Sequence, residues 1–393
     1  MRAVRVVRRS TGGVLPSWID EEFAVDHFSL SEARAVAVSR QRLGGAGSYE
    51  SVLRAAGCIQ LDTISAVRRA HESSLLARGV PVSEVENSLI ARSRPVAFEY
   101  WAHALSLIDI ELWPYFAFRR RSYRALEREV PGGESAVRDL RVLLGEHGSI
   151  DAGHLPEGAT HRRAPGSTGW DPRSDHKRAL DYLLNIGEVT CVERDGFRRV
   201  YRSAADAVPA GLFRDASDDE CVDRLVSVAL ANLGVATVDD VADYFRIKQA
   251  RVRASLERME VPRVAVESWD KAAYRDPGLT DVPEVDASPT ALSMFDTLVW
   301  HRGRLERLWG HDWRIEIYVP QKKRTFGYWC MPVVVGSEIP GRLALRRRDG
   351  RLSVEAAEWA WSDREPLREA LRGVAEWTGA KPKWECRVRR LRR

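Results

Sequence analysis

Gly187-Glu188-Val189-Thr190-Cys191-Val192-Glu193-Arg194-Asp195-Gly196-Phe197-Arg198-Arg199-Val200-Tyr201 is the stretch that sets the fold. Two β-rich runs, Glu188 to Glu193 and Phe197 to Tyr201, flank Arg194-Asp195-Gly196. An Asp-Gly step between such runs signals a hairpin. Before it, Lys177 to Ile186 reads as a helix, and Gly187 stops it as a C-cap glycine does. Further upstream a short helix, Ala136 to His147, leads into Gly148-Ser149-Ile150-Asp151. The Gly/Pro/His-rich run from Gly153 to Ser167 reads as a mobile loop. Helix, helix, hairpin is the order of a winged helix, with Lys177 to Ile186 as recognition helix and the hairpin as wing.

The pattern recurs downstream. Asp219 to Leu233 is helical and ends at Gly234; Thr237 caps Val238 to Phe245; after Arg246-Ile247-Lys248 a helix covers Gln249 to Met259, and Arg263 to Glu267 reads as a strand. It recurs upstream as well. Ser29-Leu30-Ser31-Glu32 is a capping box that opens a helix, Tyr49 to Ala56 forms another, and Gly57 ends it. The repetition is one of pattern, with no strict sequence repeat. From about Pro289 the texture turns to β. Trp313 to Val319 alternates, Phe326 to Met331 alternates, and Gln321-Lys322-Lys323-Arg324 between them reads as a basic hairpin tip. Arg342 to Arg347 and Leu352 to Ala356 flank another hairpin turn, Asp349-Gly350, and a last helix covers Glu365 to Thr378. The fold class is therefore α+β: three tandem winged-helix (helix-turn-helix) domains followed by a C-terminal β-barrel. The boundaries are a basic N-terminal arm over 1–28, winged-helix domains over 29–130, 131–210 and 211–286, and the barrel with its C-terminal helix and basic tail over 287–393.

Composition narrows the class. A chain of 393 residues, 44% hydrophobic, can bury cores for several domains. Its net charge is +5, most of the basic charge is arginine, and arginine favours bidentate contacts to phosphates and guanines. Arginine richness also fits a GC-rich genome. Cys58, Cys191, Cys221, Cys330 and Cys386 are scattered and form no CxxC pair, so neither a zinc site nor a disulfide framework is expected. A reducing cytoplasm fits this usage. No apolar run reaches membrane-spanning length, and the N-terminus lacks a hydrophobic signal core.

Chemistry concentrates at Gln60-Leu61-Asp62-Thr63, which follows Gly57-Cys58-Ile59 and precedes Arg68-Arg69-Ala70-His71. Under strand alternation Gln60 and Asp62 share one side while Ile59 and Leu61 take the other. An amide and a carboxylate on one face suit holding and activating a water molecule. A polar turn, with Asp62 satisfying backbone N–H groups, suits the same residues.

The chain resembles the winged-helix DNA glycosylases of the AlkX/AlkZ type, which unhook alkylation damage and interstrand crosslinks. The resemblance rests on Gly57-Cys58-Ile59-Gln60-Leu61-Asp62-Thr63-Ile64, Arg69-Ala70-His71, Phe98-Glu99-Tyr100-Trp101-Ala102-His103-Ala104, Lys177-Arg178-Ala179-Leu180, Gly196-Phe197-Arg198-Arg199-Val200-Tyr201, Phe295-Asp296-Thr297-Leu298-Val299-Trp300 and Arg314-Ile315-Glu316-Ile317-Tyr318-Val319-Pro320. It implies the winged-helix and barrel architecture already read. Gln60-Leu61-Asp62 looks like the family's Gln-x-Asp branch, which has the wider substrate tolerance. Met294 and His301 depart from the pattern, standing where a proline and an acidic residue are expected.

The implied activity is a monofunctional DNA glycosylase that acts on N7-alkylated purines, including crosslinked ones, in double-stranded DNA. Alkylation at N7 makes the purine cationic, so it leaves as a neutral base. The sugar passes through an oxocarbenium-like state that a carboxylate stabilises. Asp62 fits that role and that of base toward water, while Gln60 positions the water. The resemblance implies no metal and no cofactor. Arg69, His71, Lys177, Arg178, Lys322, Lys323 and Arg324 are the candidate DNA contacts. No obligate protein partner is implied, and monomer is the default state. A non-catalytic transcription regulator built of several winged helices is the other reading; it has no need of the Gln60/Asp62 pair.

Overall fold

The computed structural model describes residues 26–90, 94–126, 130–155 and 174–391. Arginines 2, 5, 8 and 9 of the expected arm, residues 156–167 of the expected mobile loop, and Arg392 and Arg393 lie outside the described residues. The chain forms two compact units. One is Ala46–Leu225; the other joins the segment ending at Gly45 to Val226–Arg393.

Within Ala46–Leu225 one pairing scheme occurs twice. Ser48 caps the helix Tyr49–Ala56, and Gly57, at φ +71°, ends it. The strand Cys58–Gln60 follows, then the helices Ala70–Leu76 and Val82–Glu86, then the hairpin Ala97–Trp101 and Leu105–Asp109. Cys58–Gln60 pairs antiparallel with Leu105–Asp109, which becomes the central strand of three. The second round runs from the helix Gly133–His147 through the strand Ser149–Ile150 and the helix Asp175–Ile186 to the hairpin Val189–Asp195 and Arg198–Ser203. Ser149–Ile150 again pairs antiparallel with the second hairpin strand. Leu140, Ile150, Ala179, Leu180, Leu183, Val189 and Tyr201 form the core of this round. At the start of this round, Gly132 is required by packing: it has φ +82°, and a Cβ there would sit 2.1 Å from the carbonyl oxygen of Asp175.

After the first hairpin a 3₁₀ segment, Ile110–Phe116, leads into the α-helix Ala117–Leu126 in place of one continuous helix. Pro114 has no N–H to continue an α-helical ladder. The arginines of this helix are engaged within the unit. Arg120, 2% exposed, donates to Asp215 at 2.7 Å and lies over the Trp113 ring; Arg121 pairs with Asp218 at 2.5 Å.

The other unit holds a third round. Val235–Thr237 precedes the helices Val238–Tyr244 and Gln249–Arg258, and pairs antiparallel with Ala273–Arg275, the second strand of a hairpin begun by Arg263–Val266. Asp26–Phe28, assigned to the arm from sequence, adds a fourth strand, parallel to Arg263–Val266. The expected capping box is present at Ser29 and opens the helix Leu30–Ser39. Asp240, on the helix Val238–Tyr244, is buried among His301 Nδ1 (2.9 Å), Arg307 (2.5 Å) and Arg304 (3.4 Å). Burial pushes its carboxyl up, but the hydrogen bond from His301 and the charges of Arg304 and Arg307 outweigh that and hold it well below the usual carboxylate range. His301, which departs from the family pattern, thus has a partner on another helix.

The C-terminal sheet runs Thr290–Ala291, Cys330–Val335, Glu338–Arg348, Arg351–Trp359, with Lys381–Trp384 and Val388–Arg390 both parallel to Arg351–Trp359. Asp349 (φ +49°) and Gly350 (φ +69°) make its tight turn. This corrects the expected barrel: among the described residues the two edges do not pair, and the sheet is a curled half-barrel. The helix Glu365–Thr378 packs on Thr290–Ala291, Cys330–Val335, Arg351–Trp359 and Lys381–Trp384 and buries Leu367, Leu371 and Val374. The apolar face is covered without closure. Part of the expected basic tail is the strand Val388–Arg390.

The strand expected over Trp313–Val319 does not form, and the one expected from Phe326 starts at Cys330. Glu316 is the reason. Its carboxylate accepts the N–H groups of Thr325 (2.8 Å), Phe326 (2.9 Å) and Gly327 (2.8 Å), donors that a strand ladder would need. The expected hairpin tip is a 3₁₀ turn, Gln321–Lys323. No helix among the described residues is long and apolar enough to cross a membrane.

Candidate active site

The glycine end of Tyr49–Ala56 turns the chain directly into Cys58–Gln60. The register is Cys58↔Ile108, Ile59↔Leu107, Gln60↔Ser106. Leu61 N–H still donates to the Leu105 carbonyl at 2.8 Å, so pairing runs one residue beyond the strand and Asp62 is the first residue past it. Ile59 and Leu61 are 3% and 5% exposed and anchor the strand from one face. Residues opposite one another in register share a face, so Gln60 lies in a row with Ser106 and Tyr100.

The Gln60 side chain is mostly buried, yet its amide makes no hydrogen bond among the described residues, and neither amide atom is sealed from solvent. Asp62 is half-buried. Its Oδ1 accepts the N–H of Ile64 at 2.7 Å, and its Oδ2 has no partner among the described residues. The turn role weighed from sequence is therefore filled by one oxygen, and the other accepts no hydrogen bond among the described residues. A carboxylate held in this way keeps its plane while presenting an acceptor.

Behind the strand lies a cluster that sequence reading did not find. Glu99, 2% exposed, accepts Arg194 through both carboxylate oxygens (2.8 Å at Oε2) and Arg199 at 2.8 Å. Arg194 Nη1 donates to the Phe197 carbonyl at 2.7 Å, and its guanidinium lies 4.3 Å from the Phe197 ring centre. Arg69 lies 4.2 Å from the same ring. The segment leaving Asp62 thus meets the tip of the Val189–Ser203 hairpin. No local signal joins residues 95 positions apart.

The other candidate contacts have these placements. Arg69 also faces Glu72 at 3.4 Å. Lys177 pairs with Asp181 at 3.2 Å and donates to the Tyr201 hydroxyl at 3.1 Å; Arg178 pairs with Asp175 at 2.6 Å. Lys322 and Lys323, on the other unit, are exposed, whereas Arg324 donates to the Val319 carbonyl at 2.9 Å. His71 is 1% exposed, and its Nδ1 has no hydrogen-bond partner among the described residues. Burial, reinforced by Arg69 and Arg194, pushes its imidazole down from 6.5 to about 3. It is held neutral in the fold while the unfolded chain takes up a proton below pH 6.5. Stability from this group is present above about pH 6.5 and falls by about 1.4 kcal/mol per pH unit as pH drops toward 3. Urea unfolding across pH 4–7 is expected to show this slope, and His71→Phe to flatten it; an unchanged slope in the variant would refute the assignment.

A model of the DNA glycosylase AlkZ-like family matches residues 53–377. The fold is similar to that of the Streptomyces sahachiroi DNA glycosylase AlkZ, at 15% identity and TM-score 0.57, over 92% of this chain and 99% of that one.

Proposed function

The chain belongs to the AlkZ-like DNA glycosylase family, and from that premise we propose that it releases N7-alkylated purines from double-stranded DNA, including purines tied into interstrand crosslinks. The observation that carries this reading is the Asp62 carboxylate at the strand exit, one oxygen held by Ile64 N–H and the other open. In the proposed reaction the open oxygen faces the developing oxocarbenium charge and accepts a proton from the attacking water. The Gln60 amide both donates to and accepts from that water. The alkylated purine departs as a neutral base, so no general acid is required for it, and an abasic site remains.

The three rounds of helix, strand, helices and hairpin, each with the first strand paired to the last, support assigning them as winged helices within the expected spans 29–130, 131–210 and 211–286; the chain up to Gly45, including the helix Leu30–Ser39, belongs instead to the unit of the third round. Lys322 and Lys323 are the candidate contacts best placed to meet phosphates. Arg69, Lys177, Arg178 and Arg324 would first exchange an internal partner. His71, enclosed and neutral, is assigned to support of the fold. A crosslinked base cannot swing away from its partner strand, so this substrate calls for a carboxylate reached without full flipping; the partial exposure of Asp62 agrees.

The test is incubation of the full chain with DNA carrying 7-methylguanine and with a nitrogen-mustard crosslink. Expected are free base, unhooked strands, and strand scission only after alkali. DNA binding with no base released from either substrate would favour the regulator reading and defeat this one.

A further inference from the structure

From Ile317 to Gly336 the chain carries Lys322, Lys323 and Arg324 and no acidic residue. The loop within this stretch is pinned at two points. Glu316 gathers the N–H groups of Thr325, Phe326 and Gly327 together with the Thr325 hydroxyl at its base. Burial pushes the Glu316 carboxyl up, and these donors overcome that and draw it from 4.5 to about 2, so the clamp stays ionised at neutral pH. Arg324 crosses the loop to the Val319 carbonyl and lays its guanidinium 4.8 Å from the Tyr328 ring centre.

Tyr318 stands out from this pinned frame at 80% exposure, the highest of the large hydrophobic side chains among the described residues. Its hydroxyl has no partner among those residues. A tyrosine ring gains by burial against almost any apolar surface, and this one is held in water. Lys322 and Lys323 lie four and five residues on, exposed and without an ion pair among the described residues. An aromatic face beside unpaired cations is the combination that grips unstacked nucleic acid, since every base has a π-face and every nucleotide a phosphate.

We propose that Tyr318 is a base-stacking contact, its ring against an unpaired or unstacked base of DNA and Lys322 and Lys323 on the neighbouring phosphates. The proposal rests on the chain acting on DNA and names a contact remote in sequence from the catalytic strand. Its chemistry selects lesions that loosen base stacking.

The experiment compares the full chain on two undamaged duplexes, one intact and one with a single bulged 2-aminopurine. The wild type is expected to prefer the bulged duplex and to quench the 2-aminopurine emission. Tyr318→Ala is expected to weaken binding to the bulged duplex about tenfold, to abolish quenching and to leave affinity for the intact duplex unchanged. Tyr318→Phe and Tyr318→Trp retain both signals. Lys322→Ala with Lys323→Ala lowers affinity for both duplexes and reduces the salt slope of binding by about two. Equal affinity and equal quenching in Tyr318→Ala and wild type overturn the proposal alone. Failure of the wild type to bind either duplex overturns it together with the DNA reading. Base release from methylated DNA, measured on the same preparations, reports the catalytic reading separately.

Discussion

Asp62→Asn is expected to lower release of 7-methylguanine by about 10²–10⁴-fold, with DNA affinity unchanged. The substitution is sharp because of how the carboxylate is held. Oδ1 accepts the Ile64 N–H at 2.7 Å, and the asparagine carbonyl accepts the same bond, so the turn survives. What disappears, in the proposed reaction, is the negative charge that would face the sugar and the oxygen that would take a proton. An amide group in place of Oδ2 presents hydrogens to a developing cation, which raises the barrier further. Single-turnover rates on methylated duplex, with binding measured in parallel, give the readout. Base release at the wild-type rate in the variant would mean that another group carries the chemistry. Gln60→Ala is expected to act more mildly, since water can reach the site with poorer orientation.

Glu99→Gln is expected to destabilise the protein by roughly 3–5 kcal/mol, a large part of a domain's total stability. The carboxylate neutralises Arg194 and Arg199 at once, and Glu99 and Arg194 are 2% and 9% exposed. Glutamine keeps the shape but leaves the buried Arg194 guanidinium without a counter-charge and takes the carboxylate from the partly exposed Arg199, and most of the cost is the desolvation of Arg194. Replacing the whole cluster, with Glu99→Leu, Arg194→Met and Arg199→Met, should recover part of the loss, because apolar groups of similar volume have no charge to compensate. Thermal and urea unfolding decide the matter. A shift below about 1 kcal/mol in Glu99→Gln would show that water or another anion replaces the carboxylate. Because Arg194 also supports Phe197, which lies under Arg69, a slower base-release rate is expected to accompany the loss of stability.

Elements closed by local chemistry were legible in the chain. Ser29 with Glu32, Thr237 with Asp240, the left-handed glycines at 57, 187 and 234, and the Asp349-Gly350 turn are each settled within a few residues, by a cap or by a φ that glycine tolerates. The helix Glu365–Thr378 was readable to the residue for the same reason: its apolar stripe and its terminal glycine lie in one continuous segment. Family membership followed from motifs that stand in order along the chain. Where a distant partner competes for the same groups, that legibility stops. Alternation over Trp313–Val319 pointed to a strand, but the Glu316 carboxylate took backbone donors nine to eleven residues on. Strands spaced as for a barrel were present, but the last helix covers the sheet without closing it.

At the site the same division holds. The sequence by itself determined that a glycine-ended helix leads into a short strand carrying Gln60, with Asp62 just past its end, because the glycine and the alternation lie within six residues. Only the tertiary structure decided that the second Asp62 oxygen meets no partner among the described residues, that His71 is enclosed and neutral, and that Glu99 draws Arg194 and Arg199 together behind the strand. Burial and pairing of charges depend on what arrives from elsewhere in the chain, and a carboxylate reads the same in sequence whether its partner is a backbone N–H, an arginine 95 residues away or water.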